Sequence, residues 1–276
     1  MAEVQVAARW DAAFEDELFN SVLREVAPHL PDTPATEARE PHSADEIAEA
    51  AEFTARLAAH DTFIVQAVSK AIAQLDFDTD FHLKLSRQVG DDGHHAELAR
   101  ERLIELTGSD QLPKIEAYIA ELWKALGDLP YRDVFGFLAF QFHYELHIQG
   151  RLKTEGRTAK VRFGRAKKAP VAEGASAEAN DELVHRINIL RWVQKTLAAV
   201  PQAQRAEWIA KLIEADDDAQ RRLNPYLRHR IGNAGRAWQS DVSNVVPIYD
   251  GFRRGVLAYL VELPETELPP LTSLAA

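Results

Sequence analysis

An acid and an imidazole three residues apart, on the apolar stripe of a long helical pattern, constrain this chain more than any other feature. The stretch is Gln88-Val-Gly-Asp-Asp-Gly-His-His-Ala-Glu97. Positions i and i+3 share one face of a helix, so Asp92 and His95 can point at one ion, and so can Asp91 and His94. The phase of the apolar residues separates the two pairs. Phe81, Leu85, Val89, Ala99, Leu103 and Leu106 make one stripe, on which Asp92 and His95 fall; Asp91 and His94 fall beside it with Glu101 and Glu105. A charge on a buried stripe costs several kcal/mol unless it is paired or ligated, so Asp92 needs a partner. Taken alone, the pair fits a core histidine hydrogen-bonded to an aspartate equally well.

Three further helical patterns carry acids in phase with their apolar stripes. Ser43-Ala-Asp-Glu46 has the form of a capping box. The helix it opens runs to about Leu75, with Phe53, Leu57, Ile64, Val68 and Ile72 in phase and His60-Asp61 interrupting them. The second helix, Thr79 to Leu106, holds the 92/95 pair and closes at Gly108. A short helix from Pro113 to Leu126 leads to a third long one starting near Pro130, with Val134, Leu138, Ile148 and Leu152 in phase, Gln141 and Glu145 between them, and Gly150 and Gly156 at its end. The fourth repeats the opening theme in Asn180-Asp-Glu-Leu-Val-His-Arg186, where Glu182 and His185 stand three apart ahead of Ile189, Val193 and Leu197.

Around these four lie further helices. Val6 to Leu30 is amphipathic, with Trp10, Phe14, Leu18, Val22 and Val26 on one side, and packs across a bundle or a partner; Pro31 to Ser43 is a linker. Beyond Pro201 a helix with Trp208, Ile209 and Leu212 runs to Asp216-Asp-Asp218, read as a solvated helix end. Asn224-Pro225 then breaks the chain, helix resumes as far as Trp238, and Pro247 to Leu260 forms a last amphipathic helix. No strand-rich region appears, so the class is all-α. The expected division is an N-terminal helix and linker over 1–42, a bundle over 43–200, and a C-terminal helical extension over 201–276.

Composition removes several chemistries. With no cysteine, disulfides, Fe–S clusters, zinc-thiolate sites and thiol nucleophiles are excluded, and any metal must use histidine and carboxylate. A net charge of -11 argues against a general nucleic-acid surface. Met1-Ala-Glu-Val-Gln lacks the basic start and apolar core of a signal peptide, and no apolar run approaches a membrane span, so a soluble cytoplasmic protein is expected, with no membrane partner.

The order acid, acid-x-x-His, acid, acid-x-x-His resembles the ferritin-like di-metal carboxylate superfamily. The resemblance covers roughly residues 45 to 200. It implies a ferritin-like four-helix bundle with extra N- and C-terminal helices, and metal ligands Asp61, Asp92 with His95, Glu145, and Glu182 with His185. The implied cofactor is two iron ions, with manganese sharing the same ligands. Asp92 stands where the family more often has Glu; Gly90 and Gly93 beside it permit close helix approach or a local bulge. His60, His147 and Glu178 are alternative ligands, read instead as neighbours of the ligands or as surface residues, and Tyr144 as packing.

For function, the resemblance implies a non-haem di-iron oxygenase or oxidase, a monooxygenase-type oxidoreductase activating dioxygen to oxidise a small organic substrate. The nearest branch includes the phenylacetyl-CoA and benzoyl-CoA epoxidase subunits and the tRNA-hydroxylating monooxygenase. Lacking cysteine and any G-x-G-x-x-G pattern, the chain would take electrons from an external reductase. A non-catalytic bundle subunit of an oxygenase complex and an iron-handling protein are the other two readings; the helices added beyond a compact bundle favour the enzyme, as a homo- or hetero-oligomer.

One segment breaks the acidic trend. Residues 151–168 hold eight Lys or Arg against one acid, a surplus of 7 that leaves -18 on the rest of a chain of net charge -11. Arg157, Arg162, Arg165, Lys167 and Lys168 are the expected contacts for an anionic partner, an acyl-CoA or acidic carrier protein, the alternative being a solvated loop. The surrounding negative charge disfavours RNA or DNA. Lys160-Val-Arg-Phe163 with Gly164 suggests a small hairpin, and Pro170 to Ala179 a small-residue loop.

Overall fold

The computed structural model describes residues 10–26, 39–161 and 171–276, with the side chains of 26, 157, 158 and 171–180 outside that set. Its regular elements are helices: α1 (Ala12–Val26), α2 (Ala44–Gln74), α3 (Thr79–Thr107), α4 (Leu112–Leu126), α5 (Leu129–Arg132), α6 (Val134–Gln141), a π-helical turn (Phe142–His147), α7 (Ile148–Thr158), α8 (Val171–Ala199), α9 (Gln202–Trp238) and α10 (Val245–Val261). The protein is an all-α bundle. Among the described residues no helix is long and apolar enough to cross a membrane.

The capping box starts α2: Ser43 Oγ accepts from Glu46 N at 3.1 Å while Glu46 Oε2 accepts from Ser43 N at 3.3 Å. Asp78 caps α3, and Gly108 closes it in the left-handed region at φ 75. The short link between α2 and α3 makes them antiparallel neighbours packed along their length. α8 packs on α3, and Gln141 of α6 and Glu145 of the π turn reach α3 through Gln88.

Residues beyond 200 share this core. One cluster of buried apolar residues runs from Trp10 to Leu274, and α9 lies against α2 and α6 while α10 lies against α7. Gly150 makes the α7 to α10 approach possible, since a Cβ there would sit 2.8 Å from Phe252 Cβ. α1 packs on α10, Trp10 meeting Tyr259 at a ring separation of 4.9 Å. A buried ion pair ties it to α8: Arg186 reaches Glu15 at 2.5 and 3.0 Å, and Trp10 donates to the same carboxylate at 2.7 Å.

Several expectations change here. α9 is continuous for 37 residues with Pro225 inside it, so Asn224-Pro225 does not break the chain. Proline removes one amide from the ladder, and packing of the flanking turns on α2 and α6 holds the axis. Asp216 is fully buried rather than a solvated helix end. The basic segment begins as helix α7, with Arg151 in the core; Gly150 lies inside the helical run rather than at its end. α8 starts at Val171, so 171–179 is helix and not loop. Val161 pairs with Arg39 in an isolated parallel bridge, and the remainder of the expected hairpin lies outside the described residues. So do Arg162, Arg165, Lys167 and Lys168, the side chains of Arg157 and Glu178, and the ends of the expected first helix.

Candidate metal centre

Asp61 comes from α2, Asp92 and His95 from α3, Glu145 from the π turn, and Glu182 and His185 from α8. The fold brings ligand atoms of five of these within 4 Å of a neighbour. His95 Nδ1 lies 3.4 Å from Glu182 Oε1 and 3.9 Å from Asp92 Oδ1. His185 Nδ1 lies 3.8 Å from Glu145 Oε2 and 4.0 Å from Asp92 Oδ1. Asp92, Glu182 and His185 form the tightest group, one ligand atom of each lying within 4.8 Å of the others. Asp61 is buried beside them; it makes no hydrogen bond or ion pair among the described residues and meets the cluster through the charges of Glu182, His95 and Glu145.

Neighbouring groups hold these side chains in place. The ring of His185 is fixed by its other nitrogen, Nε2 donating to Asp91 Oδ2 at 3.1 Å, and Asp91 is in turn bound by Arg87. Gln88 donates to Glu145 Oε1 at 2.7 Å and exchanges amide contacts with Gln141. Both glutamines sit one turn before an in-phase acid, Gln88 before Asp92 and Gln141 before Glu145. That spacing is the sequence signal for a supporting role, and the apolar phase alone draws attention to Gln141 while passing over Gln88.

Burial and the charge of Glu182 raise the proton affinity of the other three carboxylates, while contacts with His95 and His185 hold Glu182 itself below its ordinary value against its burial. Burial first, and then the Glu182 charge, push Asp61 up to about 8. Burial followed by Glu145 and Glu182 lifts Asp92 well above the usual range, and burial followed by Glu182 lifts Glu145. Burial disfavours the imidazolium of His185, yet its contacts with Glu145 and Glu182 outweigh that and raise it to about 9. His95 rises on the same balance, through Glu182. The cluster is thus a sink for positive charge.

The donor set fits a metal as well as protons. Asp92 Oδ2, Glu145 Oε2 and His185 Nδ1 are buried with no hydrogen-bond partner. Donor atoms about 3 to 4 Å apart are what an ion with bonds of about 2.1 Å leaves between its ligands. α3 remains a regular α-helix through Gly90 and Gly93, and a Cβ on Gly93 would meet only Val65 at 3.9 Å. The irregularity lies in the facing helix instead. The π turn adds a residue to one turn; Glu145 faces the cluster, and His143 and His147, two positions to either side and so on the opposite side of the helix, face α9.

His147 is therefore not beside the cluster. Its Nε2 donates to Asp216 Oδ1 at 2.7 Å, and His143 Nε2 donates to the Asp216 carbonyl at 3.0 Å. Arg253 grips Asp216 Oδ2 at 2.6 and 2.8 Å, and the Tyr249 hydroxyl lies 3.0 Å from His143 Nδ1 and from Gln220 Oε1. These two histidines and Asp216 have metal-like proximity. Arg253 already neutralises the carboxylate, which makes this a structural network. Burial holds His143 at about 3, and burial likewise lowers His147.

The His143 shift predicts a pH dependence. Below the unfolded value of about 6.5 the unfolded chain binds a proton that the folded chain refuses, so stability contributed by neutral His143 is complete above that pH and is lost as pH falls toward 3. Relative to His143→Gln, the native protein should lose about 2 kcal/mol of unfolding free energy between pH 7 and pH 5. Urea unfolding of both proteins at the two pH values measures it; a difference that does not change with pH would refute it.

Comparison of the chain with protein-family models, with characterised proteins and with solved structures finds no match.

Proposed function

We propose that this protein is a ferritin-like non-haem di-iron oxygenase or oxidase acting on a small organic substrate. The observation that carries the reading is that carboxylates and imidazoles from four helical segments meet in the core, where Asp92 Oδ2, Glu145 Oε2 and His185 Nδ1 have no hydrogen-bond partner. Asp61, Asp92, His95, Glu145, Glu182 and His185 would hold the metals. Two irons held by these residues would supply dioxygen-dependent oxidation chemistry. Gln88 orients Glu145, Asp91 orients His185, and Arg186, buried against Glu15, adds a positive charge that helps to lower Glu182 and offsets part of the rise in Glu145. Phe63, Phe140 and Tyr144 pack ring against ring beside it. Electrons would come from a separate reductase, and the basic segment would receive a CoA-linked substrate or an acidic carrier protein.

Elemental analysis tests the reading most directly. Protein expressed with ample iron and purified without chelator should carry about two metal ions per chain; less than about 0.3 would instead indicate a bundle whose buried acids are held by protons.

A further inference from the structure

An apolar groove opens on the surface between α9 and the chain that follows α10. Ile209, Ala210 and Ile213 line one side, and Leu263, Pro269 and Leu271 the other, around a volume of about 370 Å³. Exposed apolar surface of this kind marks a place where something docks. Its rim is acidic. Glu214 is exposed there and makes no hydrogen bond or ion pair among the described residues, and Asp217 lines the groove while bound to Arg253 and Thr272. Glu262 and Glu267, both exposed, lie within two residues of the lining. Against these acids stand Arg205, Arg254 and Lys211, the last paired with Glu207 at 2.8 Å.

One segment of this chain has the matching character. Residues 162–170, outside the described set, read Arg-Phe-Gly-Arg-Ala-Lys-Lys-Ala-Pro, with four cations, no acid and one large apolar side chain, Phe163. They cannot occupy the groove of their own copy. The amides of Lys160 and Val161 donate to the Trp238 carbonyl at 2.7 and 3.2 Å, which fixes the start of the segment at the C-terminal end of α9. Asp217, the lining residue of α9 nearest that end, lies about 30 Å back along the helix at 1.5 Å per residue. Two residues of chain span at most about 7 Å, so Phe163 falls far short.

We infer that the groove receives the basic segment of a second copy, Phe163 filling its apolar floor and the flanking cations meeting its acid rim. The contact is heterologous. Each copy offers one groove and one segment at separate places, so copies add head to tail until a ring closes. The interface is small, which makes the association weak and reversible. It does not depend on what fills the acid cluster, and an acidic ligand held by the same segment would compete with it.

Sedimentation velocity of the full chain in low salt should show a weight-average mass that rises with concentration, with a dissociation constant of about 10 to 100 µM. Added salt should reverse the rise. Two variants should each stay monomeric with metal content per chain unchanged. Arg162→Ser with Phe163→Ser and Arg165→Ser blunts the segment; Ala210→Arg with Glu214→Lys fills the groove and reverses its charge. Both groove positions are exposed, so that variant should fold. Mixed in equal amounts, the two variants should form a one-to-one dimer and stop there, because between them they keep a single groove and a single segment. A labelled peptide of residues 160–170 gives a second readout: it should bind the native chain but not the groove variant, and Phe163→Ser in the peptide should weaken binding by about tenfold. A native chain still monomeric at about 500 µM, a mixture that stays monomeric, or a peptide that binds native chain and groove variant equally would each overturn the assignment.

Discussion

Asp92→Ala combined with His95→Ala is expected to abolish metal binding, while Asp91→Ala combined with His94→Ala leaves it measurable but weakened. Asp92 is almost fully buried with one oxygen unpartnered, and His95 directs Nδ1 toward both Asp92 and Glu182. Removing the two takes away donors for which the core has no substitute. The rival pair divides internally. His94 is exposed, so its loss alone should change nothing. Asp91 holds His185 through Nε2, and loss of such a supporting partner typically costs about 10- to 100-fold in metal affinity. Isothermal titration of the apo-proteins with ferrous iron separates the outcomes. Should Asp91→Ala prove more damaging than Asp92→Ala, the register of the motif on α3 is wrong.

The burial of Asp92 and His95 was legible because α3 is a regular helix from cap to cap, so a 3.6-residue period extrapolates across it without error. α2 was legible for the same reason, and its capping box marked its start to the residue. The period fails where the backbone departs from it. The π turn over 142–147 shifts the phase of α7 against α6, while His147, two positions from Glu145 and so on the opposite side of the turn in any helix, is aimed at α9. Nothing in Phe-His-Tyr-Glu-Leu-His announces a widened turn.

Long-range pairing was the other blind spot. Three aspartates at 216–218 look like a solvated terminus, and only the arrival of Arg253 from α10 and His147 from the π turn makes Asp216 a core residue. Arg151 counts with the basic segment in sequence because its partner, Glu155, lies in the same run, and the burial of both depends on how α7 packs against α9 and α10. Pattern reading assigns a charge to water unless a partner is in view, and here the partners were dozens of residues away or masked by composition.

The Asp216 network should dominate the stability of the bundle. Asp216→Asn keeps the shape while leaving Arg253, 1% exposed, with only Asp217 at 3.2 Å and the Thr272 carbonyl at 2.8 Å to answer its charge. Breaking a buried pair from one side costs about 3 to 5 kcal/mol, because the surviving charge cannot reach water. For a chain of this size that corresponds to a Tm lower by about 10 °C. Arg253→Met alone should cost a comparable amount, since burial alone would raise the Asp216 carboxyl and the Arg253 charge is the leading influence opposing it. Asp216→Leu with Arg253→Met removes both charges from the core. Apolar replacement of a buried pair is often neutral, although here His147 also loses its acceptor, so part of the penalty should remain. Thermal unfolding of Asp216→Leu, Arg253→Met and the double therefore forms a cycle whose coupling should exceed about 2 kcal/mol. Simple additivity would mean that Arg253 and Asp216 stabilise the bundle independently, and the centre of α9 would then owe its place to apolar packing alone.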